Sequence, residues 1–255
     1  MIDWAELTLF IYISARMSGF VLFNPLWGRS NLPGIVRSGF VLVLSIGVIS
    51  ATEQTVDAPT GLLVLVIQII LELALGFLLS MAMNFFFYIP RLAGEAIDTQ
   101  MGMTMSQIYD PASQANMSVT GVLLNTLTTL LFFAANGHHT LLRIMLTSGE
   151  IVPYGTVSLG SDVLSAMLEL FVECTVFAVK LCLPILAAEL VGQIGMGILM
   201  KVIPQINVFA INIELKVIIG LALLLLLIAP FSEYLLKIEM EMLNSLKEIV
   251  TLTTG

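Results

Sequence analysis

Charged side chains are scarce in this sequence. Only 11% of its 255 residues are Asp, Glu, Lys or Arg, whereas soluble domains contain about a quarter. Hydrophobic residues make up 58% of the chain, and the mean hydropathy is +1.01. This composition excludes an ordinary soluble domain and predicts a polytopic membrane protein. Basic residues are also few, and the resulting net charge of −8 argues against a nucleic-acid partner.

The residues that build most catalytic and metal sites are few as well. Cys174 and Cys182 are separated by roughly 12 Å if both lie on one helix, too far for a disulfide, so we expect buried, inert thiols. His138 and His139 are adjacent and point in different directions, and no third ligand accompanies them. Nucleophile and paired-acid motifs are missing. The sequence therefore predicts no enzyme and no catalytic, cofactor-binding or metal site.

Six apolar runs divide the chain. A helix needs about 20 residues to cross a bilayer, so these runs predict membrane helices, the third one long and the second and fourth short. The gaps between runs hold at most about 30 residues, too few for an independent soluble core. The runs are Leu7–Phe23, Ile35–Ala51, Leu62–Ile89, Val119–Ala135, Val163–Ala188 and Val208–Ile228.

Charged residues nevertheless occur within or beside the apolar runs. Each costs at least about 2.5 kcal/mol at the centre of a bilayer, so eight of them predict either a water-filled route or helices surrounded by other protein. Glu173 and Lys180 share a helix face and could pair. Arg16, Glu72, Glu173 and Lys180 are the charges that we expect to be buried. The eight are Arg16, Glu72, Glu169, Glu173, Lys180, Glu189, Glu214 and Lys216.

The stretch from Tyr88 to Val119 is too polar to span a membrane and too apolar for a free linker. Met101, Met103 and Met105 alternate with small residues, and in a strand all three would face one side. Methionine adapts to irregular apolar surroundings. Two interpretations remain open, ordinary filling of the core and a compliant seal that excludes water and ions.

Two further segments complete the pattern. Gly192, Gly195 and Gly197 lack the strand and the Lys-Ser/Thr ending of a phosphate loop, so they predict a sharp turn between two helices. The tail Glu233–Val250 has acids and lysines among Leu, Ile and Met, as expected of an amphipathic helix that lies on an interface or packs on a partner helix.

Four stretches follow one another from about residue 15 to about residue 225. They are Ala15-Arg16-Met17-Ser18-Gly19 through Asn24-Pro25, Gly28-Arg29 and Leu32-Pro33; Glu72-Leu73-Ala74-Leu75-Gly76; Ala93 to Gly102 with Tyr109-Asp110-Pro111 and Asn136-Gly137-His138-His139; and Ile203-Pro204-Gln205-Ile206-Asn207-Val208-Phe209. Together they resemble the FliR family of flagellar export-gate proteins, whose virulence-secretion relatives belong to the same superfamily. The family motif of the third stretch includes Gly94, Asp98, Gln100 and Gly102.

One position departs from the family pattern. Lys201 stands where the resemblance implies an arginine, and lysine keeps the charge but lacks the bidentate fork. The resemblance also implies that the last connection is a hairpin turn at the cytoplasmic tip, near a docked FlhB-like subunit. The residues of this turn are Lys201, Pro204, Gln205 and Asn207.

For the fold, the resemblance implies an all-α membrane protein of helical hairpins. Residues 1–160 would form a FliP-like unit with a pore-plug loop at 101–117, and residues 161–255 a FliQ-like hairpin with the amphipathic tail. The chain would pack with FliP-like and FliQ-like subunits in a helical hetero-oligomeric assembly. Its location would be the bacterial inner membrane, in the flagellar basal body.

For function, the resemblance implies a structural and gating subunit that forms part of the channel wall and a luminal plug for unfolded export substrates. The residues of the plug and seal would be Met101, Met103, Met105, Ile108, Tyr109, Asp110 and Pro111. Two alternatives remain. A small-solute secondary transporter fits the intramembrane acids, but the Met-rich stretch has no counterpart in the second half. An assembly scaffold without a lumen fits the charges but not that stretch.

Overall fold

The computed structural model describes residues 4–28, 32–52, 54–56, 61–104, 106–110, 115–202 and 208–254. This part of the chain forms seven helices and one two-stranded sheet. The elements are α1 Trp4–Phe23, α2 Gly34–Ala51, α3 Leu62–Met101, β1 Gln107–Asp110, β2 Ala115–Ser118, α4 Val119–Ala134, α5 Gly137–Ile151, α6 Ser161–Val202 and α7 Val208–Leu252.

Five of these helices are long and apolar enough to cross a membrane, and α4 with α5 would make a sixth span if the bent pair is counted as one. The chain breaks between the two helices because Asn136 adopts a left-handed backbone conformation with φ 59° immediately before Gly137. The prediction of a helical membrane protein is confirmed, with a short β-hairpin added. The arrangement as FliP-like and FliQ-like parts of an assembly stays a prediction.

Three helices extend well beyond the apolar runs that predicted them. α3, α6 and α7 contain 40, 42 and 45 residues, which at 1.5 Å per residue is about 60 Å or more, twice the hydrocarbon thickness. α6 passes through Gly192, Gly195 and Gly197 without a break. The predicted turn there is therefore wrong, because each glycine in a helix costs only about 1 kcal/mol and flanking helical residues offset it.

The chain separates into two compact units. Unit 1 comprises Met1–Phe86, Asn136–Val172 and Glu239–Gly255, and unit 2 comprises Phe87–Ala135 and Glu173–Ile238. The helices α3, α6 and α7 each contribute to both units. The division at residue 160 rested on the family resemblance and stays a prediction.

In unit 1, α1 and α3 approach backbone to backbone through two glycines. A Cβ atom on Gly19 would lie 2.2 Å from the carbonyl oxygen of Leu73, and one on Gly76 would lie 2.1 Å from that of Arg16. Small residues permit this close approach, as in other membrane helix pairs. The crossing places Arg16 beside Glu72, which lies one helical turn before Gly76.

The predicted amphipathic tail is the end of α7, and its part from Glu239 onward belongs to unit 1. Its buried side chains include Leu246 and Val250. Beyond the helix, the Ser158 amide donates a hydrogen bond to the Thr253 carbonyl at 3.2 Å, and Val157 forms an antiparallel bridge with Thr254. The tail therefore packs on the loop before α6 in its own chain.

Candidate functional site

The most distinctive feature of unit 2 is the β1–β2 hairpin between α3 and α4. Its two strands are antiparallel and pair without a bulge over four positions. The pairs are Gln107 with Ser118, Ile108 with Met117, Tyr109 with Asn116 and Asp110 with Ala115.

The base of the hairpin is fixed by a buried carboxylate. Asp98, 1% exposed, accepts a hydrogen bond from the Thr120 amide at 3.1 Å and another from the Thr120 hydroxyl. Ser118 caps the same helix start by accepting from the Gly121 amide at 3.1 Å. Because the first amides of α4 lack helical partners and lie at its positive end, an acid there stabilises both the helix and its contact with α3.

The structure explains why two positions of the family motif are glycine. A Cβ atom on Gly94 would lie 2.2 Å from the Gly121 nitrogen, so α3 and α4 touch at backbone distance. Gly102 has φ +80°, the left-handed conformation that ends α3. The Met103 amide then donates to the Asp98 carbonyl at 2.8 Å. Gln100 lies half-buried on α3.

The predicted seal residues do not share one environment. Met101 ends α3 and is fully buried against α7, where a Cβ on Gly220 would lie 2.6 Å from its sulfur, while Met103 is half-buried in the turn that follows. The strand interpretation of the three methionines is therefore wrong, because the helix continues through Met101. Ile108 and Tyr109 are 47% and 59% exposed. Met105, Pro111 and the side chain of Asp110 lie outside the described residues.

A polar cavity of about 70 Å³ lies between α3 and the hairpin. Arg91 and Tyr88 both line this cavity, and the Arg91 guanidinium lies 5.8 Å from the Tyr88 ring centroid. A polar space of this size accommodates water rather than an apolar side chain. The hairpin is therefore held mainly at its base, where Met117 is buried, and its β1 side chains Ile108 and Tyr109 are exposed. The lining includes Tyr88, Arg91, Glu95, Asp98, Thr99, Gln107 and Asn116.

Unit 1 contains the second feature, a fully buried ion pair. Arg16 Nε lies 2.6 Å from Glu72 Oε2, and neither side chain is accessible. Arg16 also donates to Ser148 Oγ and to the Val152 carbonyl, both at 3.1 Å. The other Glu72 oxygen accepts the Gly155 amide at 2.7 Å. Both charges are thus hydrogen-bonded as well as paired, the condition under which buried charges are tolerated.

Aromatic rings and one glutamine complete this network. The Arg16 guanidinium lies 4.3 Å from the Tyr154 ring centroid. Burial, with the Glu72 charge as a further cause, raises the pKa of the Tyr154 phenol although Arg16 opposes it, so the ring is neutral at physiological pH. The Tyr12 hydroxyl donates to Gln68 Oε1, and Gln68 Nε2 donates to the Gly155 carbonyl at 3.1 Å.

This network joins α1, α3, the end of α5 and the loop between α5 and α6. The sequence identified Arg16 and Glu72 but missed Ser148, Tyr154 and Gly155 as their partners. One available signal was Gln68, a polar residue one helical turn before Glu72 in an apolar run.

The other intramembrane charges behave differently. Glu173 and Lys180 are exposed in the chain by itself. Their burial against other protein in an assembly stays a prediction. They are not paired either, because the only ion pair among the described residues is that of Arg16 with Glu72. Glu189 is 1% exposed, and Lys201 is exposed in the last turn of α6. Pro204, Gln205 and Asn207 lie outside the described residues.

Comparisons with known proteins match most of the length of this chain. Residues 7–242 match the family described as Bacterial export proteins, family 1. The chain is 29% identical to flagellar biosynthetic protein FliR of Escherichia coli (strain K12), with 96% of this chain and 94% of that protein covered.

Two relatives come from other systems. The chain is 25% identical to surface presentation of antigens protein SpaR of Salmonella typhimurium, with 79% and 76% of the two chains covered. It is 26% identical to Yop proteins translocation protein T of Yersinia pestis, with 82% and 81% covered. The similarity therefore extends through both compact units and is not confined to one segment.

Proposed function

This chain belongs to family 1 of the bacterial export proteins, and we propose that it is a membrane subunit of a type III protein-export apparatus whose β1–β2 hairpin plugs the channel. The observation that supports this role most directly is the hairpin itself. It is anchored at its base by Asp98 and Gly94, while Ile108 and Tyr109 are exposed above a polar cavity. An element that is fixed at one end and loosely supported elsewhere suits a plug that must yield.

A channel with a movable plug also needs parts that stay fixed, and unit 1 contains a rigid buried network. In the Arg16–Glu72 network, both charges are satisfied by side chains or backbone from three helices and one loop. Such a network has one favourable geometry and resists local opening. We assign it the role of holding α1 against α3 while the hairpin moves.

Exposed charges on α6 favour a role inside an assembly. Glu169, Glu173 and Lys180 are exposed on a helix that is long and apolar enough to span a membrane. Lipid penalises such groups, whereas protein partners can pair with them or give them access to water. The family leads us to propose FliP-like, FliQ-like and FlhB-like subunits as these partners.

The likeness to FliR of E. coli over 96% of this chain favours the flagellar system over a virulence one. We therefore place the protein in the bacterial inner membrane, at the flagellar basal body, with unfolded flagellar proteins as substrates. Energy would come from other components, since family relatives are named for biosynthesis and translocation rather than for a reaction.

The test is deletion of residues 103–116 in the assembled complex, with conductance to small ions measured across membranes that contain it. We expect the complex to assemble, because the anchors at Gly94, Asp98 and Thr120 remain, and we expect an ion leak. Replacement of exposed Leu130 on α4 by Ser is the matched control and should leave the membrane tight. An assembled deletion complex that stays tight would refute the plug.

A further inference from the structure

The β1–β2 sheet has only two strands, so within the described residues neither outer edge has a neighbouring strand. The edge of a strand presents a row of backbone N–H and C=O groups that can pair with another extended chain. A two-stranded hairpin is also only marginally stable by itself, and a third strand would stabilise it. The rest of the described secondary structure is helical apart from one isolated bridge in unit 1.

Natural proteins usually protect such edges. They place lysine or proline on the edge strand or insert a β-bulge that twists it away. Neither Gln107–Asp110 nor Ala115–Ser118 contains lysine or proline, and the four pairs run in register without a bulge. Both strands are short and Asp110 ends β1, but Gln107, Ile108 and Tyr109 leave the rest of the β1 edge uncharged.

The two strands differ in accessibility. On β2, Met117 is 5% exposed and Ser118 is engaged in capping α4, while Asn116 is exposed. On β1, Gln107, Ile108 and Tyr109 are all exposed. Because more of its side chains are accessible, β1 is the strand that another chain can approach more freely.

We propose that the edge of β1 pairs with an extended segment of the polypeptide being exported, which adds a third strand to the hairpin. This inference rests on the proposed function. An export gate handles many sequences, and the feature that all of them share is the backbone. Main-chain hydrogen bonds to an edge strand bind extended chains of different sequence, whereas side-chain pockets would select among them.

Strand pairing also suggests how the hairpin can both close the channel and guide the exported chain. Without substrate, the hairpin stays at its base contacts as a plug. An arriving chain replaces water at the β1 edge with backbone partners, and the polar cavity beneath the hairpin leaves room for it to shift. Antiparallel or parallel pairing would serve, since both use the same donors and acceptors.

The test uses the complete complex in membrane vesicles with a photoreactive benzoylphenylalanine in place of Tyr109. The probes are two short synthetic peptides of one Val- and Thr-rich sequence, one with a normal backbone and one with alternate amides N-methylated. Methylation removes backbone donors without changing side chains. We expect crosslinking to the normal peptide to exceed that to the methylated one by about tenfold, because each lost hydrogen bond weakens binding several-fold.

Equal crosslinking of both peptides would overturn the proposal, and so would crosslinking of Tyr109 only to a neighbouring subunit. The same group at exposed Leu130, on α4, is the control and should label neither peptide selectively. The ion-leak measurement separates the two proposals. If deletion of the hairpin causes a leak but methylation has no effect, the plug stands and strand addition fails.

Discussion

Arg16 Nε and Glu72 Oε2 lie 2.6 Å apart with both side chains closed to solvent, beside two glycines that let α1 and α3 touch. The sequence separates these two residues by an entire helix. The pairing lowers the free-energy cost of burying these two charges in the membrane region, because each charge is satisfied by the other.

Removal of one partner should therefore be costly. We expect Glu72→Ala to destabilise the protein by about 3–5 kcal/mol, because Arg16 is left buried and uncompensated. The double variant Arg16→Met, Glu72→Leu should lose less than the single one, since no buried charge remains. Denaturation of the purified protein in detergent measures both. A double variant as unstable as Glu72→Ala would contradict this account of the pair.

The glycine contact between α1 and α3 makes a second prediction. Gly76→Ala should cost about 1–3 kcal/mol, because its Cβ would meet the Arg16 carbonyl and force the helices apart. Gly47→Ala on α2 is a matched control, since it has nothing within 4 Å and alanine favours a helix by about 1 kcal/mol. Thermal denaturation of the two variants should shift in opposite directions. Equal shifts would show that contact is irrelevant.

The anchor of the hairpin can be tested through Asp98. We expect Asp98→Ala to cost about 1–2 kcal/mol, the usual effect of losing a helix cap. Hydrogen exchange of the Thr120 amide should become faster, and Asp98→Asn should be milder because one acceptor remains. Glu95→Gln, one turn earlier and exposed, should leave that amide protected. If the Thr120 amide stays equally protected in Asp98→Ala, Asp98 does not anchor the hairpin.

Tyr154 predicts a loss of stability in alkali. Its pKa is raised in the folded state, mainly by burial, so the folded protein holds the phenolic proton more tightly than the unfolded chain does. The contribution of this proton to the stability of the folded protein is complete below the ordinary tyrosine pKa of about 10, and it declines as the pH rises above that value. Tyr154→Phe should remove this part of the alkaline decline, as measured by denaturation on both sides of pH 10. Identical pH profiles for the two proteins would argue against it.

Exposure of Glu173 and Lys180 predicts a difference between the free and the assembled protein. In a background without Cys174 and Cys182, cysteines at positions 173 and 180 should react with a water-soluble maleimide in the isolated chain. In the complex, partner subunits should protect them. Ala178→Cys, on the same helix but 1% exposed, should be unreactive in both states. Full reactivity in the complex would place these residues outside any interface.

The boundaries of the elements show where sequence patterns lose their predictive power. Hydropathy located the membrane helices, because the apolar length of a span is set by the bilayer. It did not locate the ends of α3, α6 and α7, since polar residues such as Glu95 or Gln193 are compatible with a helix. The turn predicted at Gly192 failed for the same reason. Glycine weakens a helix but does not end it unless the backbone changes conformation, as it does at Gly102.

By itself, the sequence determined that this is a helical membrane protein with charges that lipid cannot hold, because composition and apolar length depend only on local chemistry. It also marked Arg16 and Glu72 as charges in apolar runs, and the family resemblance marked Asp98 as a motif residue. Only the tertiary structure decided their partners, burying Arg16 with Glu72 and joining Asp98 to Thr120 while leaving Glu173 and Lys180 exposed. The physical reason is that satisfaction of a buried charge depends on atoms far away in the chain, which only the packing of helices brings together.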